Sequence, residues 1–187
     1  MRSLPMIVGA ALAIGALSGV AAVQYAGPRE ARQSPEIADW QEIAWPFPRD
    51  GWPAGRAFRC DAASCGAEVE LYVRPKIGFC NCDSGVADDD EVDRVADLDL
   101  ISERFAPLAA GKPVRIADMS GRLRNYDLDM SDGAHHAAVG IAVSHRCDLL
   151  VAVAQGAGGT RELQRAALDF LASHEMHHWM MAALGGQ

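Results

Sequence analysis

The fold is decided by residues 56–74, which read RAFRCDAASCGAEVELYVR. Apolar and charged residues alternate over 56–59 and again over 67–74, a period of two that is typical of half-buried β-strands. The short link between the two runs has a length found in hairpins. Such a hairpin brings Cys60 and Cys65 opposite one another, within reach of a disulfide. The sequence therefore predicts a cross-linked antiparallel hairpin around which the domain is organised.

Three further cysteines follow, at Cys80, Cys82 and Cys147. The four thiols from Cys60 to Cys82 can form structural disulfides, for which three pairings are open, or hold a tetrahedral zinc ion. Because a Cys-x-Cys pair closes on itself only with strain, Cys80 and Cys82 are also candidates for a labile thiol or copper(I) site. The apolar neighbours of Cys147 predict a buried free thiol.

The N-terminus carries an export signal of one of two kinds. Residues 4–23 are apolar or small throughout, without a charge, and Arg2 precedes them. A run of about 20 such residues is long enough to span a bilayer, which favours an uncleaved anchor over a cleaved signal peptide. Everything from about residue 27 onward is then outside the cytoplasm. The abundance of Ala, Arg, Gly and Asp favours a bacterial periplasm, where cysteines oxidise.

Charge restricts the partners of the chain. It has 17 Lys and Arg against 25 Asp and Glu, a formal net charge of −8. This acidic balance argues against nucleic acid and against anionic membrane surfaces as partners. We therefore expect a protein partner, at or near the inner membrane.

The chain divides into three parts. Residues 1–26 are the signal or anchor, residues 27–39 a polar linker, and residues 40–187 a single domain. The domain opens on residues 40–53, which carry three Trp and three Pro and cannot form a helix interior. We expect an extended segment whose aromatic side chains cover one edge of the core.

More strands follow the first hairpin. Residues 114–119 and 122–129 alternate in polarity around Ser120–Gly121, which predicts a second hairpin with a two-residue turn. Two apolar runs, residues 136–143 and 147–154, predict two further strands. The second of these is apolar enough to be a central strand buried on both faces.

Three helices are expected. An acidic cluster predicts a capped short helix over residues 88–96, and apolar spacing suggests another within residues 98–110. Helical periodicity over residues 161–184 predicts one long terminal helix. The order of elements predicts an α+β domain, in which an antiparallel sheet built from hairpins carries the long C-terminal helix on one face.

The terminal helix contains a histidine motif. His174, Glu175 and His178 satisfy H-E-x-x-H, in which the two imidazoles bind zinc and the carboxylate acts as a general base. Catalytic zinc needs a third protein ligand, which would come from upstream. The upstream candidates are His135, His136, His145 and Asp148. The alternatives are a non-catalytic metal site and plain helix-face histidines, and the last is favoured, with His174 and His178 lying against the sheet or at its edge.

No motif names a reaction. The sequence favours a membrane-anchored periplasmic domain with a binding or assembly-accessory role, and not an enzyme. The alternatives are a zinc-dependent hydrolase that uses the H-E-x-x-H motif, or a copper or thiol carrier that uses Cys80 and Cys82. No cofactor is expected, and zinc and copper are the metals that the motifs admit.

Overall fold

The computed structural model describes residues 39–78 and 81–185. The predicted anchor at residues 4–23, most of the predicted linker, and Cys80 lie outside these residues. Among the helices of the described part, none is long and apolar enough to cross a membrane.

The described residues form one antiparallel sheet of eight strands. The strands are β1 (Trp40–Ile43), β2 (Arg56–Cys60), β3 (Val69–Lys76), β4 (Arg104–Pro107), β5 (Lys112–Ile116), β6 (Met119–Asp129), β7 (His135–His145) and β8 (Asp148–Gly156). Their spatial order is β1-β2-β3-β8-β7-β6-β4, and β5 also pairs with β6. The last strand of the chain, β8, therefore lies in the middle of the sheet, between β3 and β7.

Helices cover both faces of this sheet. They are α1 (Ala62–Cys65), α2 (Asp89–Val95), a 3₁₀ turn (Leu98–Leu100), α3 (Thr160–Leu171) and α4 (His174–Gly185). Helices α3 and α4 share one apolar core with one side of the sheet. Helix α2 and the 3₁₀ turn share a second core with the other side. An α+β architecture with an antiparallel sheet is thus confirmed, with three layers where two were expected.

The first hairpin is confirmed, with a different register at its end. Cys60 pairs with Val69, so Cys65 is not opposite Cys60 but belongs to α1, within a longer connection. Asp61 begins α1 by accepting a hydrogen bond from the Ser64 backbone N–H at 2.8 Å. This helical turn carries Cys65 back to Cys60, and the two form a disulfide with a Cα–Cα distance of 6.0 Å.

The second hairpin turns three residues earlier than predicted. Ile116 pairs with Met119, so the turn residues are Ala117 and Asp118. Gly121 instead lies inside β6, where a Cβ atom would come within 2.0 Å of the Ala142 carbonyl oxygen. Gly121 is therefore required by the close approach of two strands and not by a turn.

The central strand and the first short helix are confirmed. Residues 149–154 of β8 are all buried, and β8 pairs with β3 on one side and β7 on the other. The Asp88 carboxylate caps α2 by accepting from the Glu91 backbone N–H at 2.9 Å. The prediction of a helix within residues 98–110 is wrong. That segment forms the 3₁₀ turn and then β4, because the Ser102 hydroxyl binds the backbone oxygens of neighbouring strand ends.

The prediction of one long terminal helix is also wrong, because the segment forms two helices, α3 and α4. The Ser173 hydroxyl accepts a hydrogen bond from the Met176 backbone N–H at 3.3 Å, a contact typical of the capping residue that precedes a helix. Because the chain is not helical at the break, the buried positions of α4 do not continue the spacing of the buried positions of α3. Helix α4 buries Met176, Met180 and Leu184.

Candidate functional site

The candidate site is a groove at the C-terminal end of α4, which we call the α4 groove. Its volume is about 480 Å³, which lies within the range of ligand-binding clefts. Four parts of the chain line it: the segment before β2, the end of β3, the β7–β8 turn and α4. The lining residues are Pro53, Ala54, Pro75, Ile77, His145, Arg146, Asp148, Trp179, Ala182, Ala183, Leu184 and Gly185.

The β7–β8 turn forms a polar rim of the α4 groove. His145 pairs with Asp148, which leaves Arg146 and Cys147 as the two turn residues. Arg146 has a φ of 58°, a left-handed conformation that costs a residue with a side chain roughly 1 kcal/mol. The turn is held on both sides, because Cys147 is bonded to Cys82 and the Asp148 carboxylate accepts from the Gly78 backbone N–H at 2.6 Å. The rim is therefore fixed in position before anything binds to it.

Helix α4 supplies the apolar wall. Its buried residues Met180 and Leu184 fix the rotation of the helix on the sheet. Trp179 is partly buried and stands under the Arg56 guanidinium, whose carbon lies 5.5 Å from the indole centroid. The small side chains of Ala182 and Ala183 leave the space that forms the groove.

A second polar cluster lies on the other side of the sheet, where it holds residues 45–52, which we call the aromatic strap. Arg74 is 2% exposed, and its guanidinium binds Asp97 and, at 2.7 Å, Asp50. Lys76 donates to the same Asp97 carboxylate at 2.6 Å. Trp45 of the strap stands over the Arg74 guanidinium, at 5.8 Å. These contacts fasten the strap to β3.

The charges of this cluster stabilise one another. The hydrogen bond from Arg74 lowers the pKa of Asp50 from 3.8 to about 2. Burial opposes the positive charge of Arg74, but hydrogen bonds to Asp97 and Asp50 outweigh it and raise the pKa of the guanidinium. Asp50 and Arg74 are thus both charged near neutral pH, and their ion pair holds the strap in position.

The cysteines form two disulfides within the described residues. Cys60 is bonded to Cys65, as expected. Cys82 is bonded to Cys147, so the expected free thiol at Cys147 is wrong. In this structure the Cys82 sulfur is in that disulfide, so it is not available as the free thiol or copper(I) ligand that a carrier site would use. Cys80, its proposed partner, lies outside the described residues.

The histidine motif is placed on the surface. His174 and His178 are exposed, on the side of α4 opposite Met176 and Met180, so the expectation that they lie against the sheet is wrong. The reason is the break between α3 and α4, which changes the phase of the buried stripe. Glu175 lies about 100° around the helix from His174, and its carboxylate lies 3.7 Å from the Arg56 guanidinium.

None of the four upstream candidates forms a group of three ligand atoms with the histidine motif among the described residues, and three of the four have other partners. His136 Nδ1 contacts the Gln155 side-chain oxygen at 2.5 Å, and Asp148 binds Gly78 as described. His135 Nδ1 lies 2.9 Å from an Asp129 oxygen. The H-E-x-x-H carboxylate and imidazoles therefore do not converge on a third ligand within the described part of the chain.

One group of possible metal ligands, which the sequence did not indicate as a group, has its ligand atoms close together. Asp127, Asp129 and His135 each offer a ligand atom, and these atoms lie within 4.8 Å of one another. Asp127 and Asp129 share one face of β6, and Asp129 pairs with His135 of β7. The Asp-x-Asp spacing is visible in the sequence, but the histidine joins it only through the register of the β6–β7 hairpin.

Comparisons with known proteins leave the chain without a family. No protein-family profile matches it, and no curated protein matches its sequence. A crystal structure from Pseudomonas aeruginosa, described as a protein of unknown function, PA94, aligns over 78% of this chain and 81% of that chain. The identity is 13% and the TM-score is 0.33, too low to carry an argument.

The two disulfides give information about the cellular compartment in which the protein is found. Disulfides persist in oxidising surroundings and are rare where glutathione and thioredoxin keep thiols reduced. Two bonds in one domain, Cys60–Cys65 and Cys82–Cys147, therefore indicate an extracellular or periplasmic compartment.

Proposed function

We propose that this chain is an exported binding or assembly-accessory domain, which holds a segment of a protein partner in the α4 groove at or near a bacterial inner membrane. The observation that carries the proposal is the construction of the groove. An apolar wall formed by Trp179 and Leu184 faces a polar rim that the Cys82–Cys147 disulfide holds in place.

The lining favours a protein segment as the occupant. The wall is apolar and contains Ala182 and Ala183, whose small side chains allow a partner backbone to approach the helix closely. The rim offers charged and imidazole groups at His145, Arg146 and Asp148. An apolar centre with a polar rim is the usual anatomy of a protein interface. A preformed rim also lowers the entropy cost of binding.

The predicted anchor and the disulfides support the proposed location. Residues 4–23 would tether the domain to the membrane, and the disulfides require an oxidising side of it. An alkaline phosphatase fused after residue 187 should be active. An inactive fusion, with the protein intact, would end the export part of this proposal.

The binding part is tested with the full-length chain in the cell. A photo-crosslinking amino acid at position 183, in the groove, should give one defined product with a second protein. The matched control is position 110, an exposed alanine on the β4–β5 connection. Ala183→Glu should abolish the native complex on a non-denaturing gel, while Ala110→Glu leaves it intact. Equal products from both positions, or none from position 183, would contradict the proposal.

A zinc hydrolase is not favoured by any observation. The Glu175 side chain is turned towards Arg56, and it does not line the shallow surface beside the histidines.

A further inference from the structure

We propose that the exposed face of α4 binds copper(II), with His174 and His178 as the chelating pair. This inference goes beyond the proposed function, and it differs from the zinc-enzyme reading of the same motif because it involves no reaction. The surface concerned is lined by His174, His177, His178, Met181 and Ala182.

Helix geometry places the ligands together. His174 and His178 are four residues apart, so they stand one above the other, about 6 Å apart along the helix axis. His177 and Met181 are also four residues apart and lie beside this pair. The four side chains occupy an arc of about 100° on one side of α4. Imidazole nitrogens and a thioether are ligands that copper accepts.

Packing of α4 against the core keeps this face exposed to solvent. Met176 and Met180 are 0% exposed and Leu184 is 6% exposed, so the opposite side of α4 is fixed in the core. Ser173 holds the first turn through its hydrogen bond from the Met176 N–H. The two imidazoles are thus presented at a constant spacing by a rigid element.

The imidazoles are available. The residues are exposed, and none of the three imidazole rings of this face has a hydrogen bond or an ion pair with another described residue. A structural role would have required buried or bonded rings. Because the ring nitrogens already face water, a metal ion does not have to break a protein contact or enter an apolar site to reach them.

The ligand set selects the metal. Two imidazoles without a carboxylate favour a borderline transition metal over calcium or magnesium. Among divalent ions such a site prefers copper over nickel and zinc, following the general order of stability. Glu175 points to Arg56, so the nearest carboxylate does not join the set.

The test is equilibrium copper(II) binding to the untagged full-length chain, followed by electron paramagnetic resonance for nitrogen ligands. We expect one ion per chain, with zinc bound more weakly. His174→Ala and His178→Ala should each weaken binding by about tenfold or more, with an unchanged circular dichroism spectrum. Because both side chains are exposed, a loss of folding is not expected to confuse the result.

Two controls identify the site. Asp127→Asn with His135→Ala removes the group of described residues whose ligand atoms lie within 4.8 Å of one another, and copper binding on α4 should survive it. Adding Ala182→His to His174→Ala restores a pair of imidazoles four residues apart, and binding should return. The proposal is overturned if no copper binds. It is also overturned if both α4 variants bind normally, if the Asp127 and His135 variant abolishes binding, or if Ala182→His fails to restore it.

Discussion

Cys82 and Cys147 are joined by a disulfide across 65 residues of sequence, with their Cα atoms 4.3 Å apart. The bond connects the loop after β3 to the turn between β7 and β8. It therefore closes a covalent loop that contains α2 and strands β4 to β7, and it fixes the rim of the α4 groove.

Removing this bond should destabilise the domain more than removing the other. The chain-entropy treatment of cross-links gives about 4 kcal/mol for a loop of this length and about 2 kcal/mol for the short Cys60–Cys65 loop. Urea unfolding of Cys82→Ser/Cys147→Ser, beside Cys60→Ser/Cys65→Ser as the control, measures both. Peptide mapping without reductant should find the two pairs directly, and a Cys60 or Cys65 bonded to Cys82 would contradict this assignment.

Replacing Arg74 should be among the most damaging single changes in the domain. Arg74→Met leaves the Asp97 and Asp50 carboxylates without their shared guanidinium, in a place where the Arg74 side chain is 3% exposed. Breaking a buried ion pair by removing one partner costs about 3–5 kcal/mol. Thermal unfolding measures the loss. The control is Arg104→Met, whose side chain is 73% exposed and 3.6 Å from Asp129, and which should cost about 0–1 kcal/mol.

The aromatic strap should release in acid. Asp50 has a folded-state pKa of about 2 against 3.8 for the free group, so the folded form holds its proton less tightly. Its contribution to stability is full above about pH 4 and is lost as the pH falls towards 2. In Asp50→Asn this part of the pH dependence should disappear, which the free energy of unfolding between pH 5 and 2 reports. Asp99→Asn, an exposed carboxylate outside the cluster, should keep the parent profile.

Gly121 should not tolerate a side chain. A methyl group at Gly121 would meet the Ala142 carbonyl oxygen at 2.0 Å, so β6 and β7 would have to separate. We expect Gly121→Ala to lower the free energy of unfolding by about 1–3 kcal/mol, the usual cost of overpacking. Gly185→Ala, where a Cβ meets nothing within 4 Å, is the control. Equal stability of the two variants would show that the strands can separate freely.

The elements that the sequence predicted best were those with a local signal. The alternation around Cys60, the apolar run of residues 149–154 and the cap at Asp88 each follow from neighbouring residues, and each was found. The turn at Ala117–Asp118 was misplaced because Ser120–Gly121 has ordinary turn residues, whereas the need for Gly121 comes from Ala142 on another strand.

The candidate site was harder to predict because it is assembled from distant parts of the chain. Whether Cys147 is free depends on its spatial distance from Cys82, which no local pattern contains. Whether His174 faces the core or the solvent depends on one break, at Ser173, in an otherwise helical pattern. The apolar residues on both sides of this break have helical spacing, so the period alone predicted one long helix.

The position of β8 has a consequence for how the protein is made. Since β3 and β7 meet only through β8, the two halves of the sheet stay separate, each with an unpaired edge, until residues 148–156 are available. A chain that crosses the membrane from its N-terminus exposes both edges for most of its passage, and such edges are where chains aggregate. We therefore expect this protein to depend on holding chaperones during secretion, and truncations before residue 156 to accumulate as insoluble material.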